Sequence, residues 1–168
     1  VWGCAGGLRG YDGALAEFMC ADEELLAKRP QGLDWLQSAA LPLVTITAFE
    51  GLFDRARLQP GERVLVHGGA GGVGHVAIQL AKAAGAWVAA TVSSAAKGQV
   101  ATDCGADAVI DYTQETPADY VARLTGGQGF DVSFDTVGGA AFRASLEAVR
   151  PSGRVISIAA MILHGTLL

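Results

Sequence analysis

From Pro60-Gly61 onward the chain alternates between two patterns of apolar residues. Short unbroken apolar runs read as buried strands, and longer segments with a helical spacing of apolar positions read as the helices that cover them. Arg63–His67 is the first expected strand, Val73–Ala84 a helix stopped at Gly85, and Trp87–Val92 the second strand. A helix from Ala95 to about Asp103 ends at Gly105, and Ala108–Asp111 is a third strand. Thr116-Pro117 caps and opens a helix to Leu124, with Gly126-Gly127 behind it. Phe130–Asp135 is the fourth strand, Ala140–Val149 a helix, Pro151-Ser152-Gly153 a turn, and Arg154–Ile158 the fifth strand. Apolar strands alternating with helices imply an α/β fold, a doubly wound parallel sheet covered on both faces. Right-handed crossovers leave few topologies for it. Only five strands are legible; a sixth would need residues beyond Leu168, or a strained use of Met161–Leu168.

The first sixty or so residues have another texture. A Gly-rich loop, Gly3–Gly13, precedes Ala14–Cys20, which is readable as a strand. Asp34 is placed to cap a short helix, Trp35–Ala40. A longer helix is expected from about Leu43 to Ala56, with Ile46, Phe49, Leu52 and Phe53 on one face.

Composition narrows the class. A chain of 168 residues with 51% hydrophobic and 17% charged residues holds enough apolar material for a core, and its length suits one domain. The longest apolar runs read as too short for a membrane span. The N-terminus Val1-Trp2-Gly3-Cys4 has neither an initiator Met nor the features of a signal peptide, so residues are expected to precede Val1. A net charge of -5 without a basic patch makes nucleic acid and anionic membrane poor partners. Cys4, Cys20 and Cys104 form no metal-ligand spacing and read as free thiols of a reducing cytoplasm. His67, His75 and His164 form no ligand set and read as structural.

The chemistry concentrates after the first strand. Gly69-Ala70-Gly71-Gly72-Val73-Gly74 fits G-x-G-x-x-G between a strand and a helix, with three more strand-helix units following, which is the setting of a Rossmann dinucleotide site. The expected roles are a tight turn at Gly69, close backbone approach to a pyrophosphate at Gly71, and helix-to-strand contact at Gly74. The helix N-terminus adds N–H groups and a positive dipole end. No Gly-Lys-Ser/Thr follows, which excludes an NTPase phosphate loop. A methyltransferase-like or NAD-selective site wants an acid at the end of the second strand. Here that strand ends Thr91-Val92-Ser93-Ser94, with Lys97 one turn on. Hydroxyls beside a cation suit a 2′-phosphate, so NADP(H) is expected over NAD(H).

Gly68–Gly74, followed by Ala77-Ile78-Gln79-Leu80-Ala81-Lys82 and Gly85-Ala86, resembles the medium-chain dehydrogenase/reductase superfamily. Within it the likeness is to the zinc-independent quinone oxidoreductase branch. Leu41-Pro42-Leu43, Thr47–Leu52, Gly105-Ala106-Asp107, Val109–Tyr112, Phe134–Gly139 and Gly153-Arg154-Val155 extend it from about Gly13 to Ala159. The resemblance implies that Thr47 lies near the nicotinamide, that Ser93, Ser94 and Lys97 hold the 2′-phosphate, and that Tyr112 lies near the adenosine. It also implies that Thr136, Val137 and Gly138, with Ile158 and Ala159, line the dinucleotide groove. Leu43 stands where zinc-dependent relatives carry a ligand cysteine, so no zinc is expected. Residues 1–40 then correspond to the end of a GroES-like catalytic domain and residues 41–168 to the dinucleotide-binding domain.

The resulting expectation is the NADP(H)-binding part of a cytoplasmic oxidoreductase that passes hydride to a quinone, enone or alkenal, inactive as an isolated chain. Its expected partners are a small-molecule substrate and a second copy of the chain. No catalytic residue stands out, and no Tyr-x-x-x-Lys supports a short-chain dehydrogenase. The enoyl reductase module of a polyketide or fatty-acid synthase, and a non-catalytic dinucleotide sensor, are the alternatives.

Overall fold

The structure is a computed structural model that describes residues 1–4, 6, 13–159, 162–163 and 166–167. Most of the Gly-rich loop, Tyr11, His164 and much of the tail Met161–Leu168 therefore lie outside the described residues. The chain forms two compact units, Val1–Ile46 and Thr47–Leu168.

In the first unit Trp2 and Ala27 form an antiparallel bridge, and Glu23–Leu25 makes one 3-10 turn under an Asp22 cap. Ala14–Cys20 is not a strand, contrary to its residue pattern: no strand among the described residues pairs with it, and Leu15 and Phe18 are exposed. Asp34 does cap a helix, in reciprocal bonds with Gln37 of 2.7 and 3.1 Å. That helix, α1 (Trp35–Phe49), runs unbroken through Pro42 rather than stopping at Ala40. A helical proline removes the N–H that would bond the carbonyl four residues back. That carbonyl, Ser38 O, instead accepts the Trp2 indole N–H at 2.6 Å. A π-helical turn, Glu50–Arg55, follows α1 in the chain. The stretch Trp35–Arg55 has 21 residues and contains an 18-residue window of mean hydropathy 1.3, long and apolar enough to cross a membrane by length and composition alone, which corrects the expectation of short apolar runs.

The second unit follows the alternation closely. Its strands are β1 (Arg63–His67), β2 (Trp87–Val92), β3 (Ala108–Asp111), β4 (Phe130–Asp135) and β5 (Val149–Ser157). Its helices are α2 (Gly74–Ala83), α3 (Ala95–Asp103), α4 (Pro117–Thr125) and α5 (Ala140–Ala148). The sheet is parallel in the order β3-β2-β1-β4-β5, the doubly wound order with its sixth place unfilled among the described residues. Ile162–Leu163 and Thr166–Leu167 pair with each other in a separate two-stranded sheet. The expected turn Pro151–Gly153 is absorbed into β5 as a bulge, with Ser152 at φ 63°. α4 opens on the expected Thr116 cap, completed by Asp119 as a capping box, and closes on Gly126 in the left-handed conformation.

Parity along the strands decides what reaches each face. Leu65, Ala89 and Ile110 point to one side, where Tyr120 of α4, Phe130 and Ala148 complete a buried cluster. His67 and Thr91, two residues on in β1 and β2, point to that same side at the C-terminal ends of the strands. The opposite end of the sheet is tied by charge. Asp131 accepts the Arg63 N–H at 2.7 Å and Arg150 Nε at 2.6 Å, and Glu62 pairs with Arg154.

Candidate functional site

The loop after β1 is shaped by close backbone approach. Gly68, not Gly69, supplies the turn, at φ +73°. Gly69 is pressed on the sheet instead, since a Cβ there would stand 2.6 Å from Ala90 Cβ. Gly71 N–H donates to Gly68 O at 2.8 Å. A Cβ on Gly74 would stand 2.1 Å from that same oxygen, so the first residue of α2 rests directly on the loop backbone. Gly72 and Val73 complete the turn, and α2 begins without a side-chain cap or an acidic residue in its first turn. An uncapped N-terminus presents N–H groups and a positive dipole end to an anion.

Beside this loop lies a cavity of about 610 Å³ on the α4/α5 side of the strand ends. Ala70 and Gly71 form one part of its lining, Ser93, Lys97 and Tyr112 a second, and Val137 and Gly138 a third. Lys97 Nζ donates to Ser93 Oγ at 3.2 Å. Ser94 does not line the cavity and serves as the N-cap of α3, its hydroxyl accepting the Lys97 N–H at 3.4 Å. Asp135, fully buried, holds the loop after β4 by accepting the Val137 and Gly138 N–H groups at 2.9 Å each. Thr136 ties that loop to β1, its hydroxyl donating to His67 O at 2.7 Å. Thr47 on α1, and Ile158 and Ala159 after β5, do not line this cavity.

Among the lining residues not anticipated as site residues, four carry polar side chains. Glu115 and Tyr120 come from the β3–α4 segment, His67 and Thr91 from the ends of β1 and β2. Glu115 is held by Arg123, with its closest contact at 2.7 Å, so its charge is already paired. His67 Nδ1 lies 3.2 Å from Thr91 Oγ1, while its Nε2 and the Tyr120 hydroxyl are buried without partners. Burial pushes the His67 pKa down to about 4 against the opposing pull of Asp135, so the ring is neutral at pH 7. Burial, then Glu147 and Glu115, push Tyr120 up to about 12. The strand parity of His67 was a signal available in the sequence; the inward face of Tyr120 depends on how α4 packs.

Cys4, Cys20 and Cys104 are free thiols. Among the described residues no group of three His, Cys, Asp or Glu side chains could hold a metal ion.

The zinc-binding dehydrogenase family matches residues 72–167. An alcohol dehydrogenase superfamily protein from Novosphingobium aromaticivorans superimposes with a TM-score of 0.92 at 47% identity, over 96% of this chain and 48% of that one. The Escherichia coli quinone oxidoreductase complexed with NADPH gives 0.75 at 34% identity, over 82% and 42%. A mycocerosic acid synthase-like polyketide synthase of Mycobacterium tuberculosis is 37% identical over 147 residues, 88% of this chain but 7% of the synthase. The chain thus spans about half the length of the solved structures it matches. With its five-stranded parallel sheet and glycine-shaped loop, it belongs to the zinc-binding dehydrogenase family of the medium-chain dehydrogenase/reductase superfamily.

Proposed function

We propose that this chain is the cofactor-holding part of a zinc-free, NADP(H)-dependent oxidoreductase that passes hydride to a quinone, or to an enone or alkenal. The observation that carries this reading is the convergence on one cavity of the glycine loop and the Ser93–Lys97 pair. The bound cofactor supplies the hydride; the protein binds, orients and excludes water. Gly69–Gly74 and the uncapped start of α2 fit a pyrophosphate, and Ser93 and Lys97 fit a 2′-phosphate that a carboxylate at the same place would repel. Ser94 serves by fixing the first turn of α3, from which Lys97 projects. Tyr112, Val137 and Gly138 form the walls toward the sugar and base. Thr136 holds the wall loop in place, and we assign Thr47, Ile158 and Ala159 to the nicotinamide end. Leu43 offers no ligand to zinc. A small-molecule substrate, a cytoplasmic location and a homodimer complete the reading.

Calorimetric titration of the purified chain is the test. NADPH is expected to bind more tightly than NADH, and Lys97→Ala to weaken NADPH while leaving NADH nearly unchanged. Tighter NADH binding by the unmodified chain contradicts the assignment of Ser93 and Lys97. Similarity to the mycobacterial polyketide synthase favours one second reading, an enoyl reductase module. Preference of the full-length protein for an enoyl thioester over quinones would decide for it.

A further inference from the structure

The floor of the cavity differs from its rim. At the rim Lys97 is exposed and charged. At the floor Tyr120 is 1% and His67 3% exposed, and the Tyr120 hydroxyl and His67 Nε2 have no hydrogen-bond partner. Buried polar atoms are almost always paired, and an unpaired one costs stability until a partner arrives. Both side chains are held in place. The Tyr120 ring packs against Phe130, centroids 6.4 Å apart, within the apolar cluster under the sheet. His67 is fixed through Thr91, whose hydroxyl accepts the Gly68 N–H at 3.3 Å and can give its own hydrogen to His67 Nδ1. In that arrangement the imidazole proton sits on Nε2, the ring nitrogen without a partner. Both groups stay neutral near pH 7, so the floor suits neither a carboxylate nor a phosphate. Val92, Pro117, Ala140, Ala141 and Ala144 make much of the remaining lining apolar, and the three alanines of α5 contribute only small side chains to it.

An apolar slot ending in two neutral, unsatisfied hydrogen-bonding atoms matches an uncharged heteroaromatic ring. We propose that Tyr120 and His67 are base-specificity residues, which hydrogen-bond the edge of the adenine ring that carries its exocyclic amine. The inference rests on the cofactor reading above and adds to it which atoms distinguish the base. Adenine presents an amine donor beside a ring-nitrogen acceptor on that edge, so it satisfies a hydroxyl and an imidazole nitrogen together. Hypoxanthine carries a carbonyl in place of the amine and a ring N–H in place of the acceptor, reversing both.

The test uses the whole 168-residue chain and Tyr120→Phe, titrated calorimetrically with NADPH, with adenosine 2′,5′-bisphosphate, and with the NADPH analogue in which hypoxanthine replaces adenine. Loss of one neutral hydrogen bond is expected to weaken both adenine ligands about three- to tenfold. The free Tyr120→Phe protein is expected to melt at or above the unmodified temperature, since it loses an unsatisfied buried hydroxyl. The unmodified chain is expected to bind the hypoxanthine analogue at least about threefold more weakly than NADPH. Equal affinity in either comparison overturns the proposal. A lower melting temperature of the free variant overturns it too, by showing that the hydroxyl already has a partner inside the fold. Failure of the unmodified chain to bind any of the three ligands overturns the cofactor reading itself, and this inference with it.

Discussion

Gly71→Val and Gly74→Ala perturb one loop at two points, and the geometry separates their consequences. A Cβ on Gly74 meets Gly68 O at 2.1 Å, with Gly68 C at 2.9 Å and Gly69 Cα at 3.0 Å. Ordinary contact needs about 3.5 Å, so the shortfall is about 1.4 Å, and every opposing atom is backbone. The loop cannot give by rotating a side chain; it must lift away from α2. Overpacking of this kind costs about 1–3 kcal/mol, and this site stands at the upper end. At about 2–4 °C per kcal/mol for a chain of this size, Gly74→Ala is expected to melt about 6–12 °C lower. A smaller unfolded-state gain from replacing glycine, about 0.4–1 kcal/mol, offsets part of this. A Cβ on Gly71 meets only Gly68 O, at 3.1 Å, a shortfall of about 0.4 Å. Gly71→Val is therefore expected to melt within about 4 °C of the unmodified chain. Its methyl groups, though, occupy cavity space where the pyrophosphate is assigned, so NADPH affinity is expected to fall more than about tenfold. Circular dichroism melts and NADPH titration of both variants are the assay. A folded Gly71→Val that binds NADPH normally would show that the phosphates do not sit on this loop. An unchanged melt for Gly74→Ala would refute the tight backbone contact.

Three further outcomes are expected. The folded pKa of His67, about 4, lies below its unfolded 6.5, so the unfolded chain binds the extra proton between those values. Stability is full above about pH 6.5 and falls toward pH 4, by about 3 kcal/mol if the whole shift is realised. Urea unfolding at pH 7 and pH 4.5 should give a smaller difference for His67→Gln; an equal difference would remove His67 as the source. Metal analysis after dialysis is expected to find far less than stoichiometric zinc, and about one zinc per chain would contradict the role given to Leu43. The 168-residue polypeptide is expected to reduce quinones negligibly even when saturated with NADPH. Aligned approach to about 3–3.5 Å can supply about 7–11 kcal/mol, and that positioning needs a second wall on the nicotinamide. Turnover equal to that of the full-length protein would refute this.

β1 to β4 were legible at their observed bounds because β1 to β3 are short apolar runs and β4 alternates apolar and polar residues, each bounded by glycine or polar residues that local pattern alone marks. The fusion of two expected helices into α1 was not. Whether Pro42 ends a helix depends on what satisfies Ser38 O, and the answer is an indole 36 residues away. Ala14–Cys20 has strand-like residues but no strand beside it among the described residues, and pairing is a property of the fold rather than of the segment. The site divides the same way. Ala70, Gly71, Ser93, Lys97, Tyr112, Val137 and Gly138 sit at strand ends, where motif and spacing place them, and all line the cavity. Tyr120 reaches the cavity only through the packing of α4 on the sheet, and nothing in its own segment distinguishes it from a core aromatic.

The ion pairs at the far end of the sheet make its two ends respond differently to salt. Asp131, Arg150, Arg154 and Glu62 tie β1, β4 and β5 by charge at one end, whereas at the cavity end hydrogen bonds do the tying, from Thr136 to His67 O and from Ser157 to the buried Asp135. Salt screens part-exposed charge pairs far more than buried hydrogen bonds. High salt should therefore raise amide exchange at the ion-paired end of these strands and leave the cavity end nearly unchanged.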